Sequence, residues 1–117
     1  MKLTMLSRDD RVVRLACEGG LTLPDLDGVG DPFDRTLKSD DFRRTVLVDL
    51  GRSNYLNSSG ISWLLESDRR FRRQGGRLVL HSLAPHVSQV ARLTRLDSLL
   101  HVTDDERAAH ELACSDV

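Results

Sequence analysis

The chain has 117 residues, 39% of them hydrophobic and 30% charged, with 17 Lys plus Arg set against 18 Asp plus Glu and a formal net charge of −1. That length suits one ordinary domain that can bury a core without staples, and the balance of charge argues against a general affinity for nucleic acid or an anionic membrane. The two cysteines and four histidines lack metal-ligand spacing, and no apolar stretch approaches the length of a signal peptide or a membrane span. The expectation is a single cytoplasmic domain over residues 1–117, with no membrane insertion, no nucleic-acid partner, no metal and no cofactor.

Lys2–Leu6 and Arg11–Cys17 read as two strands joined by a polar turn at Ser7–Asp10, with Val13, Leu15 and Cys17 sharing one face. Cys17 lies in an apolar run and reads as a small core residue, with a Cys17–Cys114 disulfide left open. Between Leu23 and Arg44, Pro24, Gly28, Gly30 and Pro32 break any long helix. Asp31-Pro32 makes an N-cap and first-position pair, so one short helix is expected at about Pro32–Lys38, burying Phe33 and Leu37, with loop for the rest. Thr45–Leu50 is a near-continuous apolar run, the pattern of a strand covered on both faces. Asp49 near its end suits hydrogen bonding at a turn or sheet edge.

Gly51–Gly60 is turn chemistry almost throughout, and Ile61–Arg73 then repeats apolar residues at helical spacing, at Ile61, Leu64, Leu65 and Phe71. Asn57, Ser58 and Ser59 fall where the first backbone N–H groups of a helix need a cap. Position 68 belongs to the same stripe but is Asp. A buried unpaired carboxylate costs on the order of 2–5 kcal/mol, so Asp68 sits at the stripe's edge or pairs with an Arg. Trp63 falls off the stripe, which makes it a candidate partner contact, with packing against a neighbouring loop as the alternative. Glu66, Arg69, Arg70 and Arg73 form an outer face that reads as a solvated ridge, with Glu66–Arg70 as a helical pair. Gly75-Gly76 ends the helix. Arg77–Ser82 is the next strand, and Pro85 opens a helix with Val87, Val90, Ala91 and Thr94 inward. Arg95 follows where a left-handed residue would cost about 1–2 kcal/mol. Leu99–Val102 is a last short strand, and Thr103-Asp104-Asp105-Glu106 is a capping box for a helix with Ala108, Ala109 and Leu112 inward.

Strand, Asn57-Ser58-Ser59-Gly60 turn and helix together resemble the STAS domain, the family of bacterial anti-sigma factor antagonists, whose turn usually reads D-S-S-G or D-S-T-G. Gly75-Gly76-Arg77-Leu78-Val79-Leu80 also looks like the family's G-G-x-L-x-L, and Glu18–Thr22 faintly resembles the signature that follows the opening hairpin. Five features depart from the pattern: Asn57 replaces the usual Asp, Gly20 an acidic residue, Asp68 an apolar one and Arg95 a Gly, and Leu23–Arg44 holds either a shortened first helix or a surface for a particular partner. The resemblance implies an α/β STAS fold, a small mixed β-sheet with helices packed mainly on one face, in the order β-β-α-β-α-β-α-β-α. It implies that Ser58 is the phosphorylated serine and that Asn57, Ser58, Ser59 and Gly60 contact the partner, with Trp63 as a further candidate. The partners implied are a GHKL-type anti-sigma factor serine kinase and a PP2C-type phosphatase, and a homodimer is compatible with the reading.

In that picture the chain is substrate and ligand, not enzyme. Position 56 is Leu, so the G-x-S-x-G elbow is absent, and no nucleotide-binding fingerprint occurs. His81, at a strand end, could approach Ser58, but a lone histidine at a strand end is more often structural. The alternative is a non-phosphorylated structural STAS module, a scaffold or an accessory subunit of a lipid-transport ABC complex. Asn57 and the short first helix favour that alternative; Ser58-Ser59-Gly60 favours the switch.

Overall fold

A five-stranded sheet in the spatial order β1-β2-β3-β4-β5 organises the computed structural model, which describes residues 2–21 and 31–113. The strands are β1 (Lys2–Arg8), β2 (Val12–Glu18), β3 (Thr45–Arg52), β4 (Arg77–His81) and β5 (His101–Thr103). β1 and β2 form the expected antiparallel hairpin, its turn held by Asp9 Oδ1, which accepts from the N–H groups of Arg11 at 2.8 Å and Val12 at 2.7 Å. The remaining neighbours, β2–β3, β3–β4 and β4–β5, are parallel, so the sheet is mixed. Parallel neighbours require crossover connections. These are α1 (Pro32–Thr36) followed by a 3-10 helix (Ser39–Arg43), then α2 (Ser58–Arg73), then α3 (Pro85–Leu93) with α4 (Leu96–Leu99).

All the crossovers lie on one face. Val13, Leu15, Val46, Val48, Leu78 and Leu80 share a single buried cluster with Phe33, Leu64, Phe71, Val87, Ala91 and Leu96 from the helices. On the other face Leu47 and Val79 pack under Ala109 of α5 (Glu106–Ala113). The alternation of the strands, period two, separates these two sets. The element order and the one-sided helical layer are those expected.

Several local expectations are corrected. The buried side of α2 is Gly60, Trp63, Leu64, Ser67, Asp68 and Phe71, so the stripe is turned toward α1, and Ile61 and Leu65 are half-buried at its margin. Aromatic rings cause the turn. Phe33 stacks on Trp63 at 5.0 Å between centroids and meets Phe71 edge-on at 5.4 Å, while Phe42 tilts against Phe71 at 4.9 Å. Glu66 pairs with Arg69 rather than Arg70, which reaches Asp34 instead. Thr94 is exposed, its hydroxyl donating to the carbonyl of Val90. Leu99 ends a short helix instead of starting a strand, and the cap of α5 is Asp105, whose Oδ1 accepts from the N–H of Ala108 at 2.8 Å. Glu106 is drawn away from any capping box by Arg14, at 2.6 Å.

The region before β3 holds more structure than its composition suggests. Asp31 caps α1 and Pro32 opens it as expected, and Phe33 and Leu37 are buried. The 3-10 helix was not expected. Its centre is Asp41, fully buried, which accepts from Arg8 Nη2 at 2.6 Å, Arg44 Nη1 at 2.8 Å and the N–H of Lys38 at 2.9 Å. Burial alone would raise this carboxyl's pKa, but the Arg8 fork, the Lys38 N–H and the two cationic charges outweigh it and hold the group below 3.8. Asp68 is buried and pairs with Arg72 at 2.7 Å, as an Arg partner one turn on requires, while its Oδ1 has no hydrogen-bond partner among the described residues. Gly75, at φ +88°, takes the left-handed conformation expected of a helix-ending glycine, and Arg95, at φ +58°, takes it as well, so the cost attached to that case applies. Cys17 is buried; Cys114, and with it the open disulfide, lies outside the described residues.

Candidate functional site

The turn between β3 and α2 is pinned before it reaches the serines. Ser53 is fully buried and its hydroxyl donates to the carbonyl of Cys17 at 3.1 Å. The N–H of Leu21 donates to the carbonyl of Tyr55 at 2.8 Å, and Leu21 pairs with Leu56 in a parallel bridge. The chain following β2 therefore lies alongside the loop, and both leucines are buried. Asp49 folds back locally, accepting from the N–H of Gly51 at 2.8 Å, which is the turn role anticipated for it.

Asn57 then makes the cap. Its backbone is extended, at φ −118° and ψ −179°, and its Oδ1 accepts from the N–H of Gly60 at 3.0 Å. Ser58 and Ser59 follow as the first two helical residues. Ser58 is exposed, Asn57 and Ser59 are half-buried, and Gly60 is buried. Because Asn57 supplies the cap, the Ser58 hydroxyl is not drawn into it. Gly60 is glycine for a steric reason. A Cβ there would lie 1.9 Å from the carbonyl oxygen of Leu21 and 2.8 Å from its carbon. The first turn of α2 carries no acidic residue, so the positive end of the helix dipole is left uncompensated beside Ser58.

Two expected neighbours of the site stand elsewhere. Trp63 is only 7% exposed, stacked on Phe33 with its Nε1–H donating to Asp31 Oδ2 at 3.1 Å. A ring spent on the core and on α1 is not available as a partner contact, and the alternative of packing against a neighbouring segment is the one observed. His81 pairs in register with Asp49, two residues beyond Leu47 and Val79, so its side chain belongs to the α5 face, away from α2. It is buried, with Nδ1 2.8 Å from Ser82 Oγ, and burial pushes its pKa below the usual histidine range, against the pull of Asp49 and Glu106. It does not serve Ser58.

One neighbour was missed. Tyr55, 49% exposed, stacks in parallel on His86 of α3, the rings 6.0 Å apart and 3° from coplanar. The available signal was an aromatic residue inside an otherwise polar turn. Among the described residues no group of three or more His, Cys, Asp or Glu could hold a metal ion, and no helix is long and apolar enough to cross a membrane.

A sheet with its crossover helices on one face and a serine turn at the start of α2 has relatives. The family described as "Mlab, STAS domain" matches residues 4–101. The chain belongs to the STAS family. Within it, a protein of Bordetella bronchiseptica named as an anti-sigma factor antagonist, BtrV, is 36% identical over 66 residues, which are 56% of this chain and 57% of that one. The crystal structure of a Thermotoga maritima protein named as an anti-sigma factor antagonist superposes with a TM-score of 0.81 at 18% identity, covering 97% of this chain and 95% of the other. The Bacillus cell-fate determinant SpoIIAA, in its phosphorylated form, superposes at 0.61 with 17% identity, covering 94% and 98%. At such identities the two structures speak to the fold, and they bear out the STAS architecture.

Proposed function

We propose that this STAS domain binds a serine-kinase anti-sigma factor through the surface around Ser58, and that phosphorylation of Ser58 releases it. The observation that supports this reading is an exposed hydroxyl at the first position of α2, with the cap already supplied by Asn57. The names of its relatives, and the existence of a phosphorylated form of SpoIIAA, point the same way.

The chemistry asks nothing catalytic of this chain. The kinase positions ATP, the Ser58 oxygen attacks the γ-phosphorus, ADP departs, and the hydroxyl proton passes to a kinase base. The product carries about −1.5 to −2 charges at pH 7. The N-terminal end of α2 tolerates that charge, but a partner surface packed against a neutral hydroxyl does not. A loss of about 1.4 kcal/mol already weakens binding tenfold. A PP2C-type phosphatase, with water as acceptor, would restore the hydroxyl. An ATP-using partner places the encounter in the cytoplasm.

Intact-mass analysis after incubation with ATP and the kinase-type anti-sigma factor of the same genome tests the covalent step. One phosphate is expected on the wild type and none on Ser58→Ala; no mass gain at Ser58 retires the switch. Asn57 supports a second reading, a permanently unmodified scaffold or accessory subunit of a lipid-transport ABC complex, since the helix start is complete without any anion. On that reading Ser58→Asp leaves the transporter partner bound, whereas on the first it loses the kinase.

A further inference from the structure

We propose that the Tyr55–His86 stack beside Ser58 is the anchor of the partner surface, and that the partner segment seated on it is acidic. The inference rests on the partner-binding reading of Ser58 and adds the chemistry of the partner.

The placement is the first support. Tyr55 is exposed yet held, its ring by His86 and its carbonyl by the N–H of Leu21, so it presents a rigid face at small entropic cost. The stack joins two helix starts, since Tyr55 precedes the cap of α2 and His86 is the second residue of α3. Tyrosine at the centre of a surface is a frequent hot spot, because it combines apolar area with a hydroxyl.

Charge is the second, independent support. Of the chain's 18 Asp and Glu, none falls in residues 50–65 or 82–96, the two stretches that the stack brings together. Those stretches carry Arg52, His86, Arg92 and Arg95 as their only cationic or titratable nitrogen side chains. Neither α2 nor α3 has an acidic residue in its first turn. Arg52 pairs with Glu18 at 3.2 Å and Arg92 shares a hollow with Asp97 and Asp104, so what sets the surface around the stack apart is two helix starts without acidic residues of their own, and complementarity assigns it an acidic segment. A phosphate on Ser58 would then occupy the ground that partner carboxylates need, and like charges would expel them. Nucleic acid is the weaker fit, because the two rings face each other and the few cations are scattered over the end of β3, α3 and the residue before α4.

The probes are poly-L-glutamate, poly-L-lysine of equal length and oligothymidylate, titrated into the full chain at low and at physiological ionic strength while backbone amide shifts are followed. The expected result is salt-sensitive binding of polyglutamate with the largest shifts at Tyr55, Ser58 and His86. His86→Ala and Tyr55→Ala should each weaken it about fivefold, and Ser58→Asp about tenfold. Both aromatic positions are at the surface, and an otherwise unchanged amide spectrum confirms that each variant is folded. The proposal is overturned if no binding is detected, if shifts centre on the ridge Arg69–Arg73, if the variants bind as the wild type does, or if polylysine or oligothymidylate binds more tightly. None of these results depends on a kinase. If the kinase phosphorylates Ser58 but the unmodified chain ignores polyglutamate, this inference alone is lost; if Ser58 is never phosphorylated but the chain binds polyglutamate at the stack, only the switch is lost.

Discussion

Gly60→Ala sets two physical effects against each other. Helix propensity alone favours alanine by about 0.8–1 kcal/mol, and Gly60 lies inside the first turn of α2. The local packing says the reverse. The new methyl carbon would be 1.9 Å from the carbonyl oxygen of Leu21, 2.8 Å from its carbon and 3.1 Å from Leu56 Cδ1. The obstacle is backbone, which cannot rotate aside as a side chain can. Either the helix start or the Leu21 segment must move by about 1 Å or more, straining the Leu21–Tyr55 hydrogen bond and the cap. Overpacking of this kind costs roughly 1–3 kcal/mol, and the immobile obstacle puts the estimate at the upper end. After the propensity gain is deducted, a net destabilisation of about 2 kcal/mol remains, or a fall in Tm of roughly 6–12 °C. Urea unfolding followed by the fluorescence of the single tryptophan, Trp63, measures it, because the ring is buried in the native state. A variant as stable as the wild type, or more so, refutes the claim that the serine turn is seated against Leu21.

Three further outcomes are expected. Asp41 is held below 3.8 in the folded chain, so the stability it contributes is complete above about pH 4 and is lost as pH falls through the folded pKa; Asp41→Asn should lower the urea midpoint at neutral pH and flatten the acid limb. His81 is depressed by burial, so its contribution is complete above about pH 6.5 and is lost as pH falls through the folded value. Wild-type urea midpoints should therefore drop between neutral pH and about pH 5.5, with a shallower slope for His81→Gln; identical slopes would contradict the buried neutral state. Asp68→Leu exchanges a buried carboxylate with one orphaned oxygen for an apolar side chain, and is expected to gain up to about 1–2 kcal/mol by urea unfolding.

The sheet was legible because its strands carry their own signatures. Val13, Leu15 and Cys17 alternate, Thr45–Leu50 is apolar on both faces as a central parallel strand must be, and Asp31-Pro32 and Gly75 mark helix ends by chemistry that acts within a few residues. What escaped was set by contacts between distant segments. Nothing local to Asp41 shows that Arg8, 33 residues earlier on β1, reaches across to join the neighbouring Arg44 on it. The buried side of α2 was displaced by rings arriving from residues 33 and 42, which brought Trp63 inside. At the site, the N-S-S-G turn announced an exposed serine at a helix start, and Ser58 stands exposed there. The stack on His86 did not announce itself, since it joins residues 31 positions apart on separate elements.

The lopsided layering has a consequence for how the chain is made. Every crossover lies on one side, so the first apolar cluster can close once residues up to Leu100 have been synthesised. Leu47 and Val79, fully buried in the finished domain, must wait for Ala109 and Leu112. A nascent chain halted before Glu106 would thus hold an assembled sheet with a bare greasy strip along its back, a binding place for chaperones until the last helix arrives.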